Sequence, residues 1–565
     1  MVTAGAESTD QIRELVIAAL AYAALTFLMA LPFSLAPGTT ILGDVPDAHV
    51  YLWTLGWDAY AFLHQPLHLF DANIYHPYSN TLAYSENLIA TAFVSSPIIW
   101  LTGNILLGTN LAALLTCVLC GLGAYFLARR LHIGIGGAFI CGVIFAFASP
   151  RFVRMGQLHM TAMQWMPFSL AFLHSYFEYG RRRDLLAAIG CFSLQALSSG
   201  HGATYLTLAT FALIVWQLAL GAPLAWRQRL RDFGVAGAYL LAPAVWVMLP
   251  YRLSQTEAGL RRGYLSDALP NAESFLASPS RFHEYLQLRF IGPFERGPDA
   301  YLFPGLLVLP LAAIAVFSWP WRPSFARAPE GRRGWRANFV LFYLLVAIVS
   351  TLMFVSWPFQ IWESVHWLPA LNFIRIPSRF ILLTMLALAV LAGAGVDRIA
   401  TRLSNTSAAA LSAVLATLLL AEYSTYPFQG VPFEINPPAI DRWLDTRPKP
   451  FAIAEVPAPG PGNMGDLERH QTRSMLHATA HWQKTIHGYS SLRRPLHERL
   501  YKELPGFPDA TSIASLQEVG VNYIVVHTEN YGARWPDIEA AIAKVPALTL
   551  EHVEGSGRVY SLAPR

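Results

Sequence analysis

Two aspartates stand close together near the start of the chain. Asp44 and Asp47 lie three residues apart, just after the first hydrophobic segment. A carboxylate can act as a general base toward a hydroxyl group, or hold a divalent metal beside a phosphate leaving group. The alternative is structural, because Asp47 would also suit the N-cap of a helix that starts at Ala48. Ionisable residues near or within a membrane are costly and usually functional, so we interpret the pair as candidate catalytic residues.

Four arginines form a second candidate set. Arg151 and Arg154 stand in the short polar segment 149–160, and Arg375 and Arg379 are spaced four apart before a later hydrophobic run. The planar guanidinium group grips phosphate oxygens in a bidentate fashion. We therefore predict that these arginines bind a phosphate. The alternatives are an exposed turn for the first pair and phospholipid headgroups for the second.

Further polar residues are candidates for the pocket around such a site. His201 is flanked by two glycines, which permit close approach of a ligand but also suit a tight turn. His159 suits a base, a metal ligand or a hydrogen-bonding residue, and a lone histidine is most often the last. Glu86 and Asn87 abut a short apolar segment and complete the predicted pocket. If the site uses a divalent metal, its candidate ligands are Asp44, Asp47 and His159.

The composition is that of a membrane protein. Of the 565 residues, 54% are hydrophobic and only 13% are charged, and the mean hydropathy is +0.38. Soluble domains are less apolar and carry about twice that share of charge. The net charge of +4 is too small to indicate nucleic-acid binding, and the basic residues cluster in short loops, where membrane topology explains them. We predict no nucleic-acid partner.

Eleven hydrophobic runs are close to the length that crosses a bilayer, about 20 residues. They lie near 12–32, 105–128, 133–149, 161–178, 184–199, 202–220, 233–250, 301–319, 338–357, 379–396 and 406–421. A shorter run at 87–101 is interrupted by Pro97, and we interpret it as re-entrant or interfacial. With that assignment five basic loops share the side of the N-terminus, which the positive-inside rule makes cytoplasmic. These loops are Arg129–Arg130, Arg181–Arg183, Arg227–Arg231, Arg322–Arg336 and Arg398–Arg402.

The predicted fold is a polytopic α-helical membrane domain followed by a small soluble domain. The membrane domain comprises residues 1–421, with a large first outer loop at 33–104. A proline-rich stretch then leads into residues 422–565, where 451–456 and 523–527 resemble short buried strands. Segments 513–519 and 537–544 are predicted helices. We therefore expect a small α/β domain on the outer, periplasmic face.

This layout resembles the GT-C superfamily of membrane glycosyltransferases. Asp47-Ala-His-Val-Tyr51 looks like the acidic signature of that superfamily followed by an aromatic residue. The usual adjacent second acid is replaced by Ala48, and Asp44 is the nearest substitute. The segment 373–380, Phe-Ile-Arg-Ile-Pro-Ser-Arg-Phe, is similar to a bacterial branch of large multispan proteins of the YfhO-like type.

The resemblance implies an inverting glycosyltransferase of the bacterial inner membrane that uses a polyprenyl-phosphate-linked sugar. Its acceptor would be an envelope lipid, glycan or protein on the periplasmic face. Asp44 or Asp47 would be the general base or a metal ligand, and the arginines would bind the donor phosphate. Two alternatives stay open: a flippase or transporter of a lipid-linked glycan, and a non-catalytic scaffold for envelope assembly. A flippase needs charged residues deep inside several spans, which the hydrophobic runs nearly lack.

Overall fold

The computed structural model describes residues 2–43, 46–220, 226–257, 269–290, 292–294, 297–318, 339–356, 360–368, 371–490, 492 and 494–565. Asp44 and the basic loop 322–336 lie outside these residues. The protein is mostly helical. The first helices are α1 (Val2–Met29), α2 (Pro46–His64), α3 (Ile89–Thr102), α4 (Ile105–Arg130), α5 (Ile135–Phe147), α6 (Ser149–Phe152), α7 (Leu158–Thr161), α8 (Trp165–Tyr179) and α9 (Arg182–Ser198).

The remaining elements follow in chain order. The helices are α10 (Gly200–Leu220), α11 (Trp226–Glu257), α12 (Arg281–Phe290), α13 (Val308–Ser318), α14 (Phe339–Leu352), α15 (Ile361–Val365), α16 (Ile381–Ala400), α17 (Asn405–Tyr423), α18 (Ala439–Asp445), α19 (Met464–His477), α20 (Pro495–Glu503), α21 (Ala510–Glu518) and α22 (Trp535–Ile542). The strands are β1 (Thr40–Ile41), β2 (Val431–Pro432), β3 (Ala452–Val456), β4 (Lys484–Thr485), β5 (Tyr523–His527), β6 (Leu548–Glu554) and β7 (Gly557–Leu562).

Every predicted hydrophobic run contains a helix of the structure. Within the described residues, four helical segments are long and apolar enough to cross a membrane. They are Asp10–Met29, Ile105–Arg130, Pro377–Ala400 and Asn405–Tyr423. Apolar helices of this length place the protein in a membrane. The number of eleven spans stays a prediction, because several of the other apolar helices are shorter than a bilayer requires.

The chain divides into two compact units. The first comprises Met1–Ala36, Leu111–Val247 and Arg261–Gln429, and the second comprises Pro37–Asn110, Met248–Leu260 and Gly430–Arg565. The predicted division at residue 421 into a membrane domain and a soluble domain stays a prediction.

The first unit is built around α16. Most residues of this helix are buried, from Ile381 through Val396. A helix that is apolar on all sides must be enclosed by neighbours, and α5, α13 and α14 pack against it. Glycines permit a close backbone crossing, since a Cβ on Gly393 would stand 2.6 Å from the carbonyl oxygen of Gly137 in α5. Arg379 belongs to the short helical turn, Pro377–Phe380, that leads into α16.

The second unit contains a five-stranded mixed sheet in the order β4-β3-β5-β7-β6. Strands β4, β3 and β5 run parallel, whereas β7 is antiparallel to both β5 and β6. The strands predicted at 451–456 and 523–527 correspond to β3 and β5, and the predicted helices at 513–519 and 537–544 correspond to α21 and α22. Apolar side chains of β3, β5, α20 and α21 form one core.

Residues 33–104, predicted as a long outer loop, contain two helices. The 19-residue helix α2 has a largely buried sequence that includes Trp53 and Trp57. It packs against α3 and α19. A helix that starts at Ala48 is the structural alternative for Asp47 in the sequence, and α2 covers that position. The length of α2 is not evident from the sequence, because a helix buried on nearly all sides shows no solvent-facing stripe. The predicted segment 87–101 corresponds to α3, which contains Pro97.

Candidate functional site

Asp47 lies in the first turn of α2. The helix begins at Pro46, a favoured residue at this position, so Asp47 stands inside the helix and not at its N-cap. A carboxylate in a first turn is stabilised by the helix dipole. Its Oδ1 accepts a hydrogen bond of 3.1 Å from the Tyr489 hydroxyl group. Burial and the Asp47 carboxylate raise the pKa of Tyr489 well above its usual range, so this phenol stays a donor.

Glu86 and Asn87 are both buried in the second unit. The Asn87 Oδ1 atom accepts a hydrogen bond of 3.0 Å from the backbone N–H of Ile89, at the start of α3. Its Nδ2 atom donates to the Tyr251 hydroxyl oxygen at 3.0 Å. Asn87 therefore joins the start of α3 to α11. These two hydrogen bonds explain the burial of Asn87 without a ligand.

Arg154 and Arg379 meet at one carboxylate that the sequence analysis did not single out. The Asp299 Oδ1 atom accepts from Arg154 Nη1 at 2.7 Å and from Arg379 Nε at 3.0 Å. Arg379 Nη2 also donates to Asp299 Oδ2 at 3.3 Å. Within the described residues, two guanidinium groups thus share one carboxylate. The Arg154 side chain is fully buried, whereas those of Arg379 and Asp299 are partly exposed.

The two predicted pocket histidines lie beside Arg379. Its Nη1 atom is 3.5 Å from both His159 Nε2 and His201 Nε2. The two imidazole rings meet edge to face, with centroids 5.4 Å apart. Burial and the positive charge of Arg379 lower the pKa of His159 well below its usual value. His159 is therefore neutral at pH 7, and a neutral ring nitrogen can accept a hydrogen bond from arginine.

The charge of Asp299 is fixed by its partners. Burial acts to raise the pKa of this carboxyl group, but the attraction of Arg154 and Arg379 outweighs it and holds the pKa far below its usual range. Asp299 is therefore an anion at any physiological pH. We call Arg154, Arg379, Asp299, His159 and His201 the cationic cluster. All five residues belong to the first unit.

The other two predicted phosphate ligands have different surroundings. Arg151 is buried and donates to the backbone oxygens of Ala146 and Thr161, each at 2.8 Å. These carbonyls belong to the last turns of α5 and α7, which have no partner within their own helices. Arg151 thus joins two helix ends. Arg375 is half-buried, and within the described part of the chain it makes no hydrogen bond or ion pair.

In structure, the chain resembles the arabinofuranosyltransferase AftD from Mycobacteria. The TM-score is 0.59 and the sequence identity 18%, covering 98% of this chain and 40% of that chain. The chain has the fold of AftD. It spans less than half the length of that protein. No family model matches the sequence, and no curated protein matches it.

Two weaker likenesses are to other enzymes. One is to the archaeal oligosaccharyltransferase AglB from Archaeoglobus fulgidus, with a TM-score of 0.48 and 12% identity over 99% of this chain and 74% of that chain. The other is to ArnT from Cupriavidus metallidurans, with a TM-score of 0.47 and 15% identity over 98% of both chains. These structural neighbours, like AftD, are glycosyltransferases of the GT-C type. The YfhO-like resemblance stays a prediction.

A further set of metal-ligand types comes together in the second unit. Glu455, His477 and His527 place one carboxylate oxygen and two ring nitrogens within 4.8 Å of one another. The sequence analysis missed this set because its members are 22 and 50 residues apart, which is no recognised metal-binding spacing. The available signal was Glu455, a charged residue inside a buried strand. Asp299 was missed for the same reason, since its arginine partners are distant in sequence.

Proposed function

We propose that the protein is a membrane glycosyltransferase that moves a sugar from a polyprenyl-phosphate donor to an envelope acceptor. The acceptor is a lipid, glycan or protein on the outer face of the bacterial inner membrane. The cationic cluster binds the phosphate of the donor. The bilayer, the lipid-linked sugar and the acceptor are the partners that this function requires.

The cationic cluster is the observation that carries this proposal. Arg154 and Arg379 meet at the carboxylate of Asp299, and paired guanidinium groups are well suited to binding phosphate oxygens. The partly exposed side chain of Arg379 gives a ligand access to its guanidinium group. Charge-assisted bonds from arginine to phosphate are strong and directional. The AftD fold supports the same assignment, because AftD is named as an arabinofuranosyltransferase.

The proposed reaction is a displacement at the anomeric carbon with inversion. The acceptor hydroxyl oxygen forms the new bond, the bond from the anomeric carbon to the phosphate oxygen breaks, and the electron pair leaves with the polyprenyl phosphate. Asp47 or Asp44 takes the hydroxyl proton, or holds a metal. Arg154 and Arg379 stabilise the negative charge that develops on the leaving phosphate. The half-buried Arg375 is a further donor for this phosphate.

Sugar transfer by the purified full-length protein tests the proposal. The donors are synthetic polyprenyl-phosphate sugars, including an arabinofuranosyl donor, and the acceptors are envelope extracts. We expect the wild type to transfer the sugar. The rate of Asp47→Asn or of Asp44→Asn should be lower by at least about 100-fold, since general-base catalysis contributes about 10²–10⁴-fold. Donor binding by the inactive variant should be retained.

Asp445→Asn is the matched control, because Asp445 is a half-exposed acid paired only with Lys449 among its described contacts. It should transfer sugar at the wild-type rate. Donor binding without transfer to any acceptor would favour a flippase. Wild-type function in cells of both the Asp44→Asn and Asp47→Asn variants would favour a scaffold.

A further inference from the structure

Three side chains of the second unit converge on one point. The Glu455 Oε2 atom is 2.8 Å from His477 Nδ1 and 2.9 Å from His527 Nε2. The two imidazole centroids are 5.7 Å apart. All three side chains are largely buried. Two ring nitrogens therefore meet one carboxylate oxygen, and all three atoms lie within 4.8 Å of one another.

The fold holds these side chains on three separate elements. Strands β3 and β5 are parallel neighbours, with Val456 opposite Val526. Glu455 and His527 therefore both lie at the carboxyl ends of adjacent parallel strands, the edge where α/β sheets usually place ligands. His477 is the last residue of α19. Strand positions and a helix end fix ligand directions better than loops do.

Buried acidic oxygens around the same centre have no hydrogen-bond donor among the described residues. These are Glu455 Oε1 and both carboxylate oxygens of Asp441. Asp441 is fully buried in α18, and its Oδ1 atom is 3.8 Å from His481 Nε2. Its negative charge acts on both His477 and His527. Buried charges are expensive unless they are paired or coordinate a metal, so this region requires positive charge.

We propose that Glu455, His477 and His527 bind a divalent transition-metal ion, with zinc as the best match. Imidazole ligands select zinc over magnesium or calcium. Two histidines and one glutamate leave a fourth position of a tetrahedral site for water. Zinc bonds of about 2.0–2.2 Å place tetrahedral ligands roughly 3.3 Å apart. The distances from Glu455 Oε2 to His477 Nδ1 and His527 Nε2 are 2.8 and 2.9 Å. Each would widen by about half an ångström to admit the ion.

The proton balance of binding is simple. His477 Nδ1 and His527 Nε2 must be unprotonated to bind the ion. A neutral imidazole can carry its proton on the other nitrogen. For His527 that nitrogen is Nδ1, which lies 3.9 Å from Glu529 Oε1. This separation is longer than a hydrogen bond, so Glu529 does not fix the orientation of the His527 ring.

The ion would also fix α19, which borders the surroundings of Asp47. Gln471 in this helix accepts a hydrogen bond of 3.0 Å from the backbone N–H of Gly488. The next residue, Tyr489, donates to Asp47. The proposed metal is therefore structural, and it supports the residue that we propose as base. The binding itself does not depend on sugar transfer, so failure of one proposal leaves the other standing.

Zinc binding by the full-length protein in detergent micelles tests the inference. The protein is freed of affinity tags, stripped with a chelator and titrated with Zn²⁺ alone, and elemental analysis gives the stoichiometry. We expect one zinc ion per chain in the wild type. Loss of a partner outside the coordination shell alone weakens metal binding about 10–100-fold. His477→Gln and His527→Gln remove a ligand and should each weaken binding by at least about 100-fold.

His552→Gln is the matched control. His552 lies on β6 of the same sheet, with Nε2 3.3 Å from Glu554 Oε2, as a histidine–glutamate pair without a third ligand among the described residues. It should bind zinc as the wild type does. The absorption spectrum of the Co²⁺-loaded wild type decides the matter if the ligand variants fail to fold, because histidine-bound tetrahedral Co²⁺ gives intense visible bands that Zn²⁺ removes. The inference is overturned if the wild type binds no zinc, or if the protein with both His477→Gln and His527→Gln binds zinc as tightly as the wild type. Protonated histidines would then balance the charge of Glu455.

Discussion

Arginines that look alike in the sequence have different tasks in the structure. Arg151 and Arg154 are three residues apart, and both side chains are buried. Arg151 donates to carbonyl oxygens at two helix ends, whereas Arg154 shares Asp299 with Arg379. Only the second arrangement places a guanidinium group at a partly exposed position. We therefore leave Arg151 out of the proposed phosphate site, although the sequence pattern included it.

The substitutions Arg151→Gln and Arg379→Gln should separate these two tasks. Arg379→Gln should weaken binding of polyprenyl phosphate about 10–100-fold, since a hydrogen bond to a charged group contributes about 1.5–3 kcal/mol. Arg151→Gln should lower Tm, because the buried Ala146 carbonyl loses the Arg151 donor and a buried carbonyl left unsatisfied costs about 1–3 kcal/mol. It should leave lipid affinity unchanged. Binding to lipid-loaded nanodiscs and thermal unfolding measure the two effects. Weakened lipid binding by Arg151→Gln at unchanged Tm would return Arg151 to the phosphate site.

Close helix crossing is the main feature at the scale of elements. Helices α5 and α16 meet at Gly137 and Gly393, where each backbone lies against the other. Small residues at such a crossing permit the tight packing on which membrane helices depend. The crossing also bears on the cationic cluster, because Arg379 belongs to the short helical turn that leads into α16.

Gly137→Ala should therefore destabilise the protein. Its Cβ would collide with the carbonyl oxygen of Gly393, and overpacking of this kind costs about 1–3 kcal/mol. Gly190→Ala is the control, since no described atom outside the neighbouring backbone of α9 lies within 4 Å of its Cβ position. That variant should be neutral or more stable by up to about 1 kcal/mol. Thermal unfolding in detergent compares the two, and an unchanged Tm for Gly137→Ala would contradict a tight crossing.

Elements could be predicted from the sequence where one local pattern determined them. Apolar runs gave α4 and α17 almost residue by residue, and Tyr523–His527 was recognised as a strand from its β-branched residues. For α2 only a start near Ala48 could be predicted, from the capping residue Asp47. Its length could not, because burial on nearly all sides removes the alternation that distinguishes a helix from an aromatic-rich loop. A periodic pattern appears only when one face of a helix is apolar and the other is polar, and the faces of α2 differ little.

Sites were less predictable than elements, because the chain assembles them from distant positions. The types and rough places of Arg379, His159 and His201 were available from the sequence, and the structure brings these three together. Their shared carboxylate, Asp299, was not available, since nothing in its local sequence specifies two arginine partners 145 and 80 residues away. Asp47 lies in the other unit, and its catalytic role stays a prediction.

Membrane orientation is the prediction that belongs to the whole molecule. The basic loops place 398–402 in the cytoplasm and the C-terminal region outside. In a Cys191→Ser background, whose other thiols are buried, Ala533→Cys and Thr401→Cys provide exposed labelling positions in these two regions. An impermeant maleimide should label Ala533→Cys in intact spheroplasts and Thr401→Cys only after permeabilisation. The proposed donor is a lipid-linked sugar on the outer leaflet. The reverse labelling pattern would therefore contradict both the topology and the leaflet assigned to the donor. Zinc binding at Glu455 would be unaffected by that result.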